Sequence, residues 1–178
     1  EPEQEPSDKN ELFHWILTLA IAVIIALCVN RFVLVNAEIP SGSMENTIMT
    51  GDRVFGNRLA YIFGEPKRFD IIIFRYPDDE KQLFIKRIIG LPGETVEIHD
   101  GQIFIDGSKT PLKDVTTKEF MQGSFGPYTV PDNCYFVMGD NRNNSKDSRY
   151  WEHTFVTDDE IVGKAFLRYW PLNKIKFL

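Results

Sequence analysis

The stretch FDIIIFRYPDDEKQLFIKRIIGLPGE, residues 69–94, decides the fold class. Its first run, Phe69–Tyr76, is strongly β-prone and is ended by Pro77, which cannot donate to a strand ladder. Its second, Leu83–Ile89, is stopped by Gly90-Leu91-Pro92-Gly93. The pattern continues downstream. Thr95–Ile98, the turn His99-Asp100-Gly101 and Gln102–Ile105 read as a hairpin, and Asp106-Gly107 marks a second turn. Tyr135–Met138 reads as a short buried strand and Glu160–Tyr169 as a late one, while Asn57–Phe63 suits a short helical turn. Consecutive strands joined by Asp-Gly turns predict a mainly β fold of antiparallel sheets, not a βαβ fold.

Upstream lies a segment of another kind. Leu12–Val29 is 18 residues long, with no Pro or Gly and no charge beyond a titratable His14. As a helix it would span ~27 Å, close to the ~30 Å of a bilayer core. Trp15 and Phe32 sit where interfacial aromatics are expected. The run is long for a signal-peptide core, and no small-x-small cleavage motif follows it directly. It therefore reads as a transmembrane anchor, assigned to residues 12–30. Lys9 and Arg31 flank it evenly, so charge does not orient it. The first 11 residues hold five acids and one base, rich in Pro and Glu, and read as a disordered acidic tail. Residues 31–178 are assigned to one folded domain.

Composition narrows the function classes. The 178 residues are 43% apolar, enough for a real core, and carry a net charge of −6, which argues against a nucleic-acid binder. Two cysteines cannot build a disulfide scaffold, a Cys₄ zinc site or an iron–sulfur cluster. Three scattered histidines argue against a His-rich metal centre. No GxGxxG, Walker loop or HExxH is present.

Three segments carry the chemistry. In Ile39-Pro40-Ser41-Gly42-Ser43-Met44, Pro and Gly hold a serine on a tight loop, but serine needs a base to become a nucleophile. Read alone, the loop also suits an ordinary turn. In Phe84-Ile85-Lys86-Arg87-Ile88-Ile89, Lys86 is set in an apolar run. Burial would lower its pKa from ~10.4 and make a neutral amine, a competent base, whereas an edge strand would leave it in water. The third segment, Met138–Trp151, is a dense polar loop directly after a buried strand.

Together SGSM, the downstream GDRV, FDIIIFRYP, IKRIIGLPGE and GDNRxNSxDSRYW, in this order behind one apolar span, resemble the bacterial type I signal peptidases. The plan is the small, single-span one of Gram-positive members. Lys86 stands where the endoplasmic-reticulum relatives carry His. The resemblance implies a Ser–Lys dyad, with Ser43 the nucleophile and Lys86 the general base. It implies that Ser41 donates to the oxyanion, that Ser145 orients the Lys86 amine, and that Arg87–Asp140 and Asp147–Arg149 form structural ion pairs. By motif position, Ile39, Pro40, Met44, Ile48, Ile73, Phe84 and Ile85 would line two shallow pockets for the small residues of Ala-x-Ala cleavage sites. The implied substrate is the signal peptide of an exported preprotein, cut at the bilayer surface near the secretion translocon, with no cofactor or metal. Ser43 lies only about 14 residues beyond the span, at most ~3.4 Å each. The catalytic domain is expected on the extracytoplasmic side of the cell membrane.

Two departures stand out. Asn143 occupies a position that is often Asp, and Glu152-His153-Thr154 replaces the usual Gly after Tyr150-Trp151. His153 reads as a solvated loop residue. A self-cleaving Ser–Lys protease of the repressor type shares the dyad logic, but the apolar span speaks against it. A catalytically idle, membrane-tethered peptide-binding scaffold is the alternative from another class, and the presence of both Ser43 and Lys86 favours the enzyme.

Overall fold

The computed structural model describes residues 8–62, 64–114 and 120–178, with side chains from residue 11 onward. The chain divides into two units, up to Leu34 and from Val35 to Leu178.

The first unit is helix α1, Asp8–Cys28, continued by a π-helical turn over Val29–Val33. Its apolar stretch, Glu11–Val33, is 23 residues long, has a mean hydropathy of 2.6, and is not buried anywhere within the protein. At ~1.5 Å per residue, 23 residues reach ~35 Å, enough to cross a bilayer with some tilt. The helix starts inside the expected acidic tail, so that assignment is corrected for residues 8–11. Glu11 falls near its start, where negative charge complements the helix dipole. The rest of the tail assignment, residues 1–7, lies outside the described residues.

The second unit is mainly β. One sheet runs in the order β1 (Leu34–Glu38), β2 (Arg53–Asn57), β10 (Ile161–Trp170), β3 (Ile71–Tyr76), β4 (Asp79–Gly90), β8 (Cys134–Met138) and β9 (Val156–Thr157), with β11 (Lys176–Phe177) beside β10. A second, three-stranded sheet is ordered β6 (Gln102–Ile105), β5 (Thr95–His99), β7 (Phe125–Thr129). The β3–β4, β4–β8, β10–β2, β10–β3 and β5–β6 pairs are all antiparallel. The expected hairpin pairs Val96 with Ile105 and His99 with Gln102, its turn made by Asp100 and Gly101, both with positive φ.

The two halves of the deciding stretch become the central strands. β3 buries both faces, which is why it shows no polar alternation. Ile71 and Ile73 join Val35, Ile39, Met44, Ile48, Val54, Ile85 and Ala165. Ile72 and Phe74 point the other way, to Tyr76, Ile88, Tyr135, Val137, Trp151 and Val156. A third cluster, including Ile89, Val96, Ile98, Phe136 and Met138, lies under the smaller sheet.

Three expected boundaries move. Phe69 does not begin the first strand: its φ is +71°, and the ladder starts at Ile71. β4 starts at Asp79, because Tyr76 pairs with Asp79 across the Pro77-Asp78 turn and zips the polar residues into the hairpin. Glu160 is a cap, not a strand residue: its carboxylate accepts the Thr157 amide at 2.7 Å in the turn before β10. Residues 58–62 form turns, with the Ile62 amide on Leu59 O at 3.2 Å, while Asn57 ends β2 and Phe63 lies outside the described residues.

Candidate active site

Ser43 sits in a single 3₁₀ turn, Gly42–Met44, entered from an extended Ser41. The loop is closed at its neck by main-chain bonds, Ile39 N–H to Asp52 O (3.0 Å) and Gly51 N–H to Ile39 O (2.8 Å). Asp52 locks that neck from inside, accepting the Met49 amide (2.8 Å) and Arg168 Nη1 (3.0 Å). Successive side chains of so tight a turn diverge. Ser43 faces β4, while Met44 and Ile48 are fully buried in the core behind it. Met44 and Ile48 therefore do not line a substrate pocket, contrary to the expectation from motif position.

Lys86 lies on β4 opposite Ile72. Its side chain is only 4% exposed, and its Nζ stands 2.6 Å from Ser43 Oγ. The Phe84 ring centroid is 5.4 Å from that nitrogen. Two effects compete for its proton. Burial strips the ammonium of water, while the carboxylates of Asp147 and Asp140 favour it. Burial is the larger effect, and the Lys86 pKa is pushed down to about 8. A large fraction of the amine is therefore neutral in the mildly alkaline range, able to accept the Ser43 proton. Ser41 Oγ lies 3.5 Å from Ser43 Oγ, on the same side of the turn.

The polar loop after β8 grips the Ser43 turn from behind. Asn141 donates its amide to Ser43 O and its Nδ2 to Gly42 O, both at 3.1 Å. Asp140 takes a two-pronged bond from Arg87, Nε to Oδ1 at 2.7 Å and Nη2 to Oδ2 at 2.6 Å, and a third from Thr47 Oγ1 at 2.5 Å. Arg87 also donates to Phe69 O at 2.7 Å, on the residue held at positive φ. Asp147 is fully buried and accepts Arg149 Nε (2.8 Å), Arg149 Nη2 (2.9 Å) and the Gly139 amide (3.0 Å). Burying such charges is tolerable because every carboxylate oxygen is matched.

Gly139 is a site residue that sequence reasoning passed over. A Cβ there would lie 2.3 Å from both Ser43 O and Ser145 Oγ, so only glycine lets the loop approach this closely. Its sole sequence signal is a glycine ending an apolar strand. Asn141, Thr47 and Asp52 were likewise missed, since Asn, Thr and Asp in loops ordinarily serve local turns. Ser145 is placed beside Gly139, but its buried hydroxyl has no hydrogen-bond partner. The expected Ser145–Lys86 bond is not formed, because the amine is turned onto Ser43. His153 is exposed and pairs with Asp78 at 3.0 Å. Asn143 uses both ends of its amide: Oδ1 accepts the Gln122 N–H (2.9 Å), and Nδ2 donates to Phe120 O (3.0 Å). An Asp in its place could only accept.

A cleft of about 400 Å³ opens onto Ser43 and Lys86. Ile39, Pro40, Ile73, Phe84 and Ile85 line it, joined by Asn36, Ala37, Glu38, Gln82 and Leu83. Its walls include two strand edges. β1 is at the end of the sheet order, and β8 meets β4 only from Arg87 onward, leaving residues 82–86 unpaired on that side. A larger cleft, about 960 Å³, lies over Tyr61 and Tyr135 and shares no residue with the first. Among the described residues, no group of three His, Cys, Asp or Glu side chains could hold a metal.

Comparison with known proteins bears on what this geometry is for. Residues 12–170 match the family model described as signal peptidase, peptidase S26. The chain is 38% identical to a signal peptidase I of Leptolyngbya laminosa, over 96% of this chain and 86% of that protein. It is 36% identical to a signal peptidase I of Bacillus licheniformis, over 98% and 97%, and 37% identical to signal peptidase I S of Bacillus subtilis, over 96% and 95%. A solved signal peptidase I from Enterococcus faecalis is 37% identical, with a TM-score of 0.48, covering 56% of this chain and 96% of that one.

Proposed function

The chain belongs to the signal peptidase family, peptidase S26, and is a serine endopeptidase that removes signal peptides; we propose that it does so through Ser43 as nucleophile and Lys86 as general base. The observation that carries this reading is the 2.6 Å approach of a buried lysine nitrogen to the hydroxyl of a serine at the mouth of a cleft.

The chemistry follows from the two protonation states. The neutral Lys86 amine takes the Ser43 proton as Oγ attacks the scissile carbonyl carbon. Negative charge moves to the carbonyl oxygen, where the Ser41 hydroxyl and the Ser43 amide stabilise it. The Lys86 ammonium then protonates the leaving nitrogen. The peptide bond breaks and leaves an ester on Ser43. Lys86, neutral again, deprotonates a water that attacks the ester, and Ser43 Oγ leaves with the returned proton. No metal or cofactor enters any step.

The cleft suits Ala-x-Ala substrates. An extended peptide can add main-chain hydrogen bonds to the open edges of β1 and β4, as strand-addition sites do. Ile39, Ile73, Phe84 and Ile85 give the cleft an apolar wall beside Ser43, on which a methyl group would seat and a larger side chain would clash. The apolar helix supports membrane anchoring; family membership is what favours a single-pass arrangement with the β unit on the extracytoplasmic side, where it would meet preproteins emerging from the translocon.

The test uses the full chain in detergent with a preprotein and its variant carrying a large residue directly before the cut. Cleavage of the first alone, abolished by Ser43→Ala and by Lys86→Ala, is the expected result. Equal cleavage of both substrates overturns the specificity. Activity retained in Lys86→Ala overturns the mechanism.

A further inference from the structure

Behind the Ser43 turn the polar loop is itself fastened to the smaller sheet. Arg142 is only 4% exposed. Its Nε donates to Gly139 O at 3.0 Å, and its own carbonyl accepts Arg149 Nη2 at 2.7 Å. Its Nη2 forms an ion pair with Asp114 Oδ2 at 2.5 Å, not aligned as a hydrogen bond. Asp114 belongs to the segment anchored to β6 by the Leu112 amide on Ile103 O (2.6 Å). The neighbouring Asn143 spans Phe120 and Gln122, which flank Met121, a buried member of the core under that same sheet.

The connection continues to the nucleophile. Arg142 holds the Gly139 carbonyl. Gly139 lies against Ser43 O, and Asn141 binds the Ser43 and Gly42 carbonyls. Apart from Ser43 itself, no residue in this chain of contacts lines the cleft. We infer that Arg142, Asp114 and Asn143 are positioning residues, which use the smaller sheet as a fixed support to set the Ser43 turn against Lys86. This rests on the reading of Ser43 and Lys86 as the reacting pair. An oxygen displaced by a fraction of an ångström from its base loses rate, not substrate affinity, so the signature is in kcat.

The experiment measures steady-state and single-turnover cleavage of an Ala-x-Ala preprotein by the full chain in detergent, well below the melting temperature. Asp114→Asn removes the charge at nearly constant shape, and Asn143→Ala removes the second fastening on an exposed loop. Each is expected to lower kcat by ~5–20-fold with KM within ~2-fold. Asp114→Glu keeps the charge, and the cleft of about 180 Å³ beside the pair leaves room for its extra methylene. It is expected to stay within ~2-fold of wild type. Unchanged kcat in both Asp114→Asn and Asn143→Ala overturns the inference, whatever the melting temperatures, and so does a change confined to KM. Ser43→Ala serves as the control. If it cleaves as well as wild type, the parent reading has failed. If it is dead while the two positioning variants keep full kcat, only this inference has failed.

Discussion

Lys86 occupies a strand position where an ammonium group is costly, and that cost is measurable as stability. Its pKa falls from 10.5 when unfolded to about 8 when folded, chiefly through burial. Above 10.5 both states are neutral and there is no penalty. Between 10.5 and 8 the unfolded chain binds the proton and the folded one does not, so stability declines as pH falls. Below 8 the penalty is constant, on the order of 3 kcal/mol. Lys86→Met should therefore be inactive yet more stable than wild type by ~1–3 kcal/mol at pH 7, with the gap closing by pH 10.5. Urea denaturation of the β unit at the two pH values checks this; a gap independent of pH would contradict it. Lys86 was legible through the family resemblance, since a lysine beside Arg87 in the run Phe84–Ile89 suits a solvated strand edge as well as a buried base. Met44 and Ile48 were misread because motif position does not say which way a tight turn points each side chain.

At the scale of elements, the polar loop after β8 must lie flat against the Ser43 turn. Gly139→Ala forces a Cβ to 2.3 Å from Ser43 O, a backbone atom that cannot swing aside. It should cost ~1–3 kcal/mol of stability and cut kcat by ~100-fold, read by thermal melts and steady-state kinetics together. The Arg87–Asp140 pair joins that loop to β4. Asp140→Ala leaves a buried guanidinium uncompensated and should cost ~3–5 kcal/mol. Replacing both partners, Arg87→Met with Asp140→Leu, should cost much less in denaturation, since no buried charge remains. An equal loss in the single and double variants would show that the ion pair is not what holds the loop. The strands themselves were readable from Ile- and Phe-rich runs bounded by Pro and Gly. Their ends were not. Phe69 is turned out of the ladder to present its carbonyl to Arg87, and Glu160 leaves it to cap a turn, both tertiary effects that local pattern does not encode.

For the whole molecule, the 23-residue apolar helix, none of it buried in the protein, fits membrane anchoring. The full chain should stay with the membrane pellet through high-salt and alkaline carbonate washes and be released only by detergent. Recovery in the salt wash would reduce the helix to a peripheral contact. The helix was legible from composition alone, because length and uninterrupted apolarity suffice. The long-range web that seats Ser43 on Lys86 was not, since it joins residues from four separated stretches of chain. That seating is the centre of the function, and it stands or falls on one proton. The most direct test is side-chain NMR titration of Lys86 in the full chain, specifically labelled at Nζ, in lipid nanodiscs with Ser43 intact. The expected midpoint is near pH 8, well below the ordinary lysine value of 10.5. A Lys86 midpoint at its ordinary value, above pH 10, would make it a cation throughout the working range, unable to take the serine proton.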